Sequence, residues 1–213
     1  LLPRHAVDTY NGNGAGITVC VIRKGPEGWR QAMSSNGEPC ASGCETGVLE
    51  RGDYQGSGLA LVDDKGRVAI PNALRHTLAE NSPRADGKDG GTVIIAAHED
   101  QPCLIAYDPA YIAELKRELN ERVALSRGAD GKIDHNIKRG GANGEAVPFD
   151  GSGRFIMPGF PRFYASIGAH AFFWGTLDYI EIWDPKTLLA TPGIAPQMVA
   201  ACRYYCQDKG IAL

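Results

Sequence analysis

Apolar and polar positions along the chain alternate over short stretches and then shift to helical spacing. They do this twice. Arg67-Val68-Ala69-Ile70 and Arg154-Phe155-Ile156-Met157 read as short strands. A proline follows each one, Pro71 or Pro158, where it ends the strand or opens a helix at its first turn. Leu74 and Leu78 then stand four apart, which predicts a short helix over residues 72–78. Residues 92–97 and 103–107 are strand-like on either side of a polar turn. Asp108-Pro109 carries the cap-then-proline signature of a helix start, and the helix is expected over 110–123 with Ile112, Leu115 and Leu119 on one face. The second copy keeps this order: strands at 171–175 and 179–183, then Asp184-Pro185-Lys186 opening a helix.

The two copies share a frame, D-x-x-G-R-φ-x-φ-P-x-x-x-R, where φ is apolar. It runs from Asp63 to Arg75 and from Asp150 to Arg162. The frame opens with hairpin chemistry. Gly66 and Gly153 can take positive φ, and Asp63 and Asp150 can accept backbone N–H bonds across the turn. Each unit is too small to bury more than a marginal core alone, so the two are expected to close on each other as a covalent pseudo-dimer.

This doubled frame, with Gly56–Pro71 in the first half and Asp150–Pro158 and Tyr179–Asp184 in the second, resembles the MraZ family. The resemblance implies an α+β fold of two pseudo-symmetric SpoVT-AbrB-like (swapped-hairpin barrel) halves, closing into one β-barrel-like body with flanking helices. It implies a bacterial transcription factor that forms a ring. Such a factor binds repeated DNA sites upstream of the division and cell-wall gene cluster and represses its own gene. It also implies that the Asp-x-x-x-Arg segments lie in the DNA-contacting region. Two departures stand out: Ser152 replaces the first motif's Lys65, and residues 81–91 form a Gly-rich insertion.

Arg67 and Arg154 are the leading DNA-contact candidates, because a planar guanidinium fits phosphate oxygens or the guanine N7/O6 edge. A salt bridge to Asp63 or Asp150 is the competing role. Lys65, at a hairpin tip, is expected on phosphate. Arg75 and Arg162 share one frame position and are expected at DNA, at a subunit interface, or simply on a helix surface. Lys138-Arg139 reads as a solvated loop. Tyr107 and Trp183 read as packing residues.

The boundaries expected are an N-terminal extension over 1–53, a first unit over 54–125, a linker over 126–147, a second unit over 148–190 and a partly helical tail over 191–213. Residues 1–47 are rich in Gly, Ser and Asn, the chain starts on Leu, and Val48 could mark a GTG start. Upstream sequence wrongly joined to the reading frame is therefore expected there, with a disordered arm as the alternative.

The 213 residues carry a formal charge of −3, which argues against a general basic coat but leaves room for a local basic patch multiplied by assembly. No apolar run approaches a membrane span. Cys40/Cys44 and Cys202/Cys206 have loose zinc spacing without a knuckle, and no zinc or other cofactor is expected. His98-Glu99-Asp100 falls between two strands and reads as a turn. No hydrolase, zincin or nucleotide-binding motif occurs, so no enzyme activity is expected. The expected partners are double-stranded DNA and further copies of the chain, in the cytoplasm at the nucleoid. The alternatives are a ring-forming protein scaffold with little DNA binding and an AbrB-like antitoxin.

Overall fold

The computed structural model describes residues 51–82, 89–126 and 132–213, together with four two-residue strands nearer the start: β1 (Ala6–Val7), β2 (Cys20–Val21), β3 (Lys24–Gly25) and β4 (Gly28–Trp29). Residues 1–50 and 51–213 are separate compact units. In the first, β1 pairs with β2 and β3 with β4, both antiparallel. Of the rest of the expected extension, residues 51–53 belong to the second unit, and the others, including Val48, Cys40 and Cys44, lie outside the described residues.

The second unit contains β5 (Ser57–Leu61), β6 (Arg67–Ala69), α1 (Asn72–Asn81), β7 (Gly90–Ala97), β8 (Leu104–Tyr107) and α2 (Tyr111–Leu125). After α3 (Asn136–Gly141) come β9 (Glu145–Asp150), β10 (Arg154–Ile156), α4 (Gly159–Tyr164), β11 (His170–Gly175), β12 (Ile180–Trp183) and α5 (Pro185–Ala190). The last element is α6 (Pro196–Asp208). The order strand, strand, helix, strand, strand, helix thus occurs twice. Most of the insertion expected over 81–91 is outside the described residues. The segment expected as a linker holds α3 and the first half of β9, whose Glu145 already pairs with Ile95.

Six strands form one antiparallel sheet in the order β5-β11-β12-β8-β7-β9, curled into a half-barrel. β5 opens the first series of elements but pairs with β11 of the second. β9 opens the second series but pairs with β7 of the first. β6 and β10 leave the sheet and pair with each other as a two-stranded ribbon.

Alternation along the strands explains the layers, since successive side chains point to opposite faces. Val93, Ile95, Leu104, Ala106, Ala171, Phe173, Ile180 and Ile182 join the main core with Val68 and Phe155 of the ribbon and Leu74 and Leu78 of α1. On the other face Phe172 and Trp183 pack with Leu188 of α5 and Met198, Cys202 and Cys206 of α6. Ile94, Ala96 and Tyr107 pack there with Tyr111 of α2. Tyr107 and Trp183 are buried, as their apolar surroundings in the sequence predict.

The face expected for α2 is only partly covered. Leu119 is buried and Leu115 half-buried, whereas Ile112 stays 46% exposed. The helix packs instead through Tyr111, one residue earlier.

Asp108 and Asp184 hold equivalent helix starts. Asp108 accepts from the N–H groups of Ala110 (3.0 Å) and Tyr111 (3.2 Å), and Asp184 from those of Lys186 (3.0 Å) and Thr187 (3.1 Å). Asp108 is fully buried and also receives Arg51 Nε at 2.7 Å and Tyr54 Oη at 2.8 Å. Residues 98–103 form the predicted turn: His98 Nδ1 accepts from the N–H groups of Asp100 and Gln101. Among the described residues no group of three His, Cys, Asp or Glu side chains could hold a metal, and no helix is long and apolar enough to cross a membrane.

Candidate nucleic-acid interface

The site is built from two turns of the same design. Asp63 Oδ1 accepts from the N–H groups of Lys65 (2.9 Å) and Arg67 (2.8 Å), and Gly66 N–H closes the turn on the Asp63 carbonyl at 2.9 Å. Asp150 Oδ1 accepts from the N–H groups of Ser152 and Arg154, both at 2.9 Å, and Gly153 N–H closes on the Asp150 carbonyl at 2.8 Å. Gly66 has φ +78° and Gly153 φ +76°, values that a β-carbon disfavours. The Asp and Gly of each frame are therefore structural, and they aim the strand that leaves each turn.

Those two strands, β6 and β10, make up the ribbon. Arg67 stands opposite Ile156, and Arg154 opposite Ala69. Directly opposed residues in an antiparallel pair share a face. One face therefore carries Arg67, Ala69, Arg154 and Ile156, with the two arginines on a diagonal. The other face sends Val68 and Phe155 into the core. Arg67, Arg154 and Ile156 are exposed, and they border a shallow groove whose far side is Val147, Pro148 and Phe149 of β9.

The two arginines differ in their tethers. Arg67 Nε donates to Asp63 Oδ2 at 2.6 Å. The Arg67 backbone N–H, followed by its guanidinium, holds the Asp63 carboxyl below the usual carboxylate range. This pair lies in solvent, with the Arg67 side chain 61% exposed, so it orients the guanidinium more than it stabilises the fold. Among the described residues the terminal nitrogens of Arg67 have no partner, nor do the side chains of Arg154 and Lys65. The competing salt-bridge role thus holds for Arg67 and is absent at Arg154.

Arg75 and Arg162 are placed differently. Both are half-buried, and each reaches the loop of the other series. Arg75 Cδ lies 2.6 Å from where a β-carbon on Gly153 would stand, and Arg162 Nη1 lies 3.4 Å from the same position on Gly66. Arg75 Nη2 donates to Asn72 Oδ1 at 2.6 Å. Arg162 donates to the carbonyls of Ile167 (3.1 Å) and Gly168 (3.2 Å). Backbone bonds cross in the same way: Met157 N–H donates to Gly66 O and Ile70 N–H to Gly153 O, each at 2.9 Å. The nine residues named from sequence spacing all lie in the two turns, on the ribbon or on the helices behind it; Ile156, beside Arg67 on the ribbon face, is not among them. Alternation alone places Ile156 outward; only the register puts it beside Arg67.

The fold and site define an α+β protein that presents a doubled, arginine-bearing β-ribbon. No family model matches the chain. A transcriptional regulator MraZ of Ruegeria sp. (strain TM1040) is 30% identical over 138 residues, covering 63% of this chain and 78% of that protein. Transcriptional regulators MraZ of Yersinia pestis (strain Pestoides F) and of Yersinia pseudotuberculosis serotype O:3 (strain YPIII) are each 25% identical over 134 residues, covering 63% of this chain and 81% of theirs. The chain belongs to the MraZ family.

Proposed function

We propose that this protein is a sequence-specific DNA-binding transcriptional regulator whose β6–β10 ribbon docks in the major groove. The supporting observation is the solvent face of that ribbon, with Arg67 and Arg154 on a diagonal and their terminal nitrogens unpartnered among the described residues. A two-stranded β-ribbon fits a major groove, and guanidinium groups read guanine edges or phosphates there. Lys65 and Arg67 serve the first loop and Arg154 the second, with Lys65 on phosphate. Arg75 and Arg162 hold the opposite loops from beneath and add positive charge behind them. Asp63, Gly66, Asp150 and Gly153 set the turns.

The two series of elements act as pseudo-symmetric SpoVT-AbrB-like halves. The supporting observation is the sheet order, which reads the same from either edge when β5, β7 and β8 are exchanged for β9, β11 and β12. The target is the division and cell-wall gene cluster, with autorepression, in the cytoplasm at the nucleoid. Binding to repeated sites uses a ring of copies. The exposed Phe160 and Phe163 of α4, 61% and 82% accessible, supply an apolar surface for that assembly.

Gel-shift titration against the DNA upstream of its own gene tests this reading. Wild type is expected to bind with an affinity that climbs from one repeat to four, and Arg67→Ala with Arg154→Ala to lose binding while circular dichroism stays unchanged. A folded double variant that binds as tightly as wild type overturns it and favours the protein-scaffold alternative.

A further inference from the structure

The exposure of Ile112 on α2 opens onto a second groove, distinct from the ribbon, between α2, α3 and the outer face of β7, β8 and β9. Its volume is about 470 Å³, within the range of small-molecule sites. Ile94, Leu115 and Leu119 give it an apolar floor. Lys116 and Lys138 stand at its margin, and none of the residues lining it is acidic. Neither lysine has a carboxylate partner among the described residues. In a chain of net charge −3, this concentrates positive charge beside an apolar surface.

A third observation points to a ligand. Tyr107 is 3% exposed, and its side chain lines this groove. Its hydroxyl opens onto the groove: it has no hydrogen-bond partner among the described residues and is not one of the fully buried unpartnered polar atoms, so a ligand in the groove can take its hydrogen bond in place of water. Burial raises the Tyr107 pKa, so the phenol is a neutral donor. Gly144 keeps room above it: a β-carbon there would stand 2.8 Å from the hydroxyl and 2.6 Å from Ile94 Cγ2.

The geometry points to a binding site for an amphipathic carboxylate, with its alkyl chain on Ile94, Leu115 and Leu119, its head between Lys116 and Lys138, and a hydrogen bond from Tyr107. The apolar floor takes the chain by excluding water. Charge-assisted bonds select the anionic head.

The test is isothermal titration of the whole protein with decanoate below its micelle concentration, beside decanol and decylamine. Decanoate is expected to bind saturably, and decylamine at least about tenfold more weakly, since a hydrogen bond to a charged group contributes roughly a tenfold factor or more. Lys116→Glu with Lys138→Glu is expected to weaken decanoate by at least a similar factor, and Ala146→Trp, which fills the groove from β9, to abolish binding. Tyr107→Phe separates a ligand role from a packing role. It should weaken decanoate several-fold yet leave the melting temperature of the free protein unchanged or higher, because the hydroxyl it removes has no partner to lose. Equal binding of decylamine, unchanged affinity in the double lysine variant, or no saturable binding at all overturns the site. If decanoate fails to bind and Ala146→Trp lowers the assembly mass in light scattering, the groove is an interface between copies and the proposal is also overturned.

Discussion

Arg75 lies across Gly153, its Cδ 2.6 Å from the position a β-carbon on that glycine would take. A residue of the first motif thus forms the floor of the second motif's turn. Gly153 consequently answers two demands, a positive φ and a close neighbour. Gly193 has a similar φ, +82°, with nothing within 4 Å. Gly193→Ala should cost about 1–2 kcal/mol, the left-handed penalty alone. Gly153→Ala should cost more, because Arg75 must also move. Denaturant unfolding of the two variants checks this, and an equal loss would mean the Arg75 contact gives way freely.

The ribbon arginines should separate from the turn residues in their effects. Arg67→Ala and Arg154→Ala are each expected to weaken operator binding by about 1–3 kcal/mol per direct contact while leaving unfolding nearly unchanged. Lys65→Ser should reduce the salt dependence of binding by a slope of about 0.9, one phosphate contact. Salt-dependent fluorescence anisotropy measures both quantities on the same samples.

Buried Asp108 should be the most sensitive carboxylate in the molecule's α2 half. Its Oδ2 takes Arg51 at 2.7 Å and Tyr54 at 2.8 Å, and its Oδ1 takes two backbone N–H groups at the start of α2. Asp108→Ala is expected to cost about 3–5 kcal/mol, since it leaves Arg51 uncompensated and two helix donors unmet. Arg51 also sits over the rings of Tyr54 and Tyr111 at 5.3 and 4.8 Å, so Arg51→Met, which loses these contacts and leaves the buried Asp108 carboxylate without its guanidinium, should cost a comparable amount. A thermal melt of each variant compares them.

High pH should loosen the α6 side of the sheet. Burial, then the neighbouring Cys206, pushes the Cys202 thiol up to about 12 from an ordinary 9.0. A raised acid favours the folded state while it stays protonated. The stabilisation is complete below about pH 9 and disappears as pH rises through about 12. Native Cys202 should therefore resist alkylation near neutral pH and become reactive as the protein opens in alkali. Fast labelling of the native protein at neutral pH would contradict the packing of α6.

Assembly should depend on α4. Phe163→Glu, at a residue 82% exposed in the single chain, is expected to leave the fold intact and lower the mass seen in light scattering, with affinity for multi-repeat DNA falling in parallel. An unchanged mass would move the contact elsewhere.

Much of this architecture is legible in the residues. The alternation of Val68 and Phe155 with their charged neighbours marks the ribbon strands and the outward arginines. Asp108-Pro109 and Asp184-Pro185 mark two helix starts, because cap chemistry is local. The partner of each strand is not legible. β5 and β9 differ little in period from strands that pair with their sequence neighbours, and only the assembled core selects β11 and β7 for them. The face of α2 departs from its stripe for a related reason: Ile112, Leu115 and Leu119 satisfy helical spacing, but the sheet offers Tyr107, and Tyr111 meets it edge to face with ring centroids 5.4 Å apart. The crossing of Arg75 and Arg162 under the opposite turns likewise depends on tertiary register, which spacing along one chain does not encode.

The pairing of β5 with β11 bears on how this protein is made. As the chain leaves the ribosome, the first series emerges complete, yet β5 lacks the strand it borders, β7 lacks β9, and β6 lacks β10. Those edges stay open until β9 (Glu145–Asp150), β10 (Arg154–Ile156) and β11 (His170–Gly175) have been made, and an open strand edge is a template for joining the wrong molecule. A longer nascent copy on the same message carries the β9, β10 and β11 that a shorter one still lacks, so the same exchange that ties one chain together also offers a route by which neighbouring chains entangle during translation.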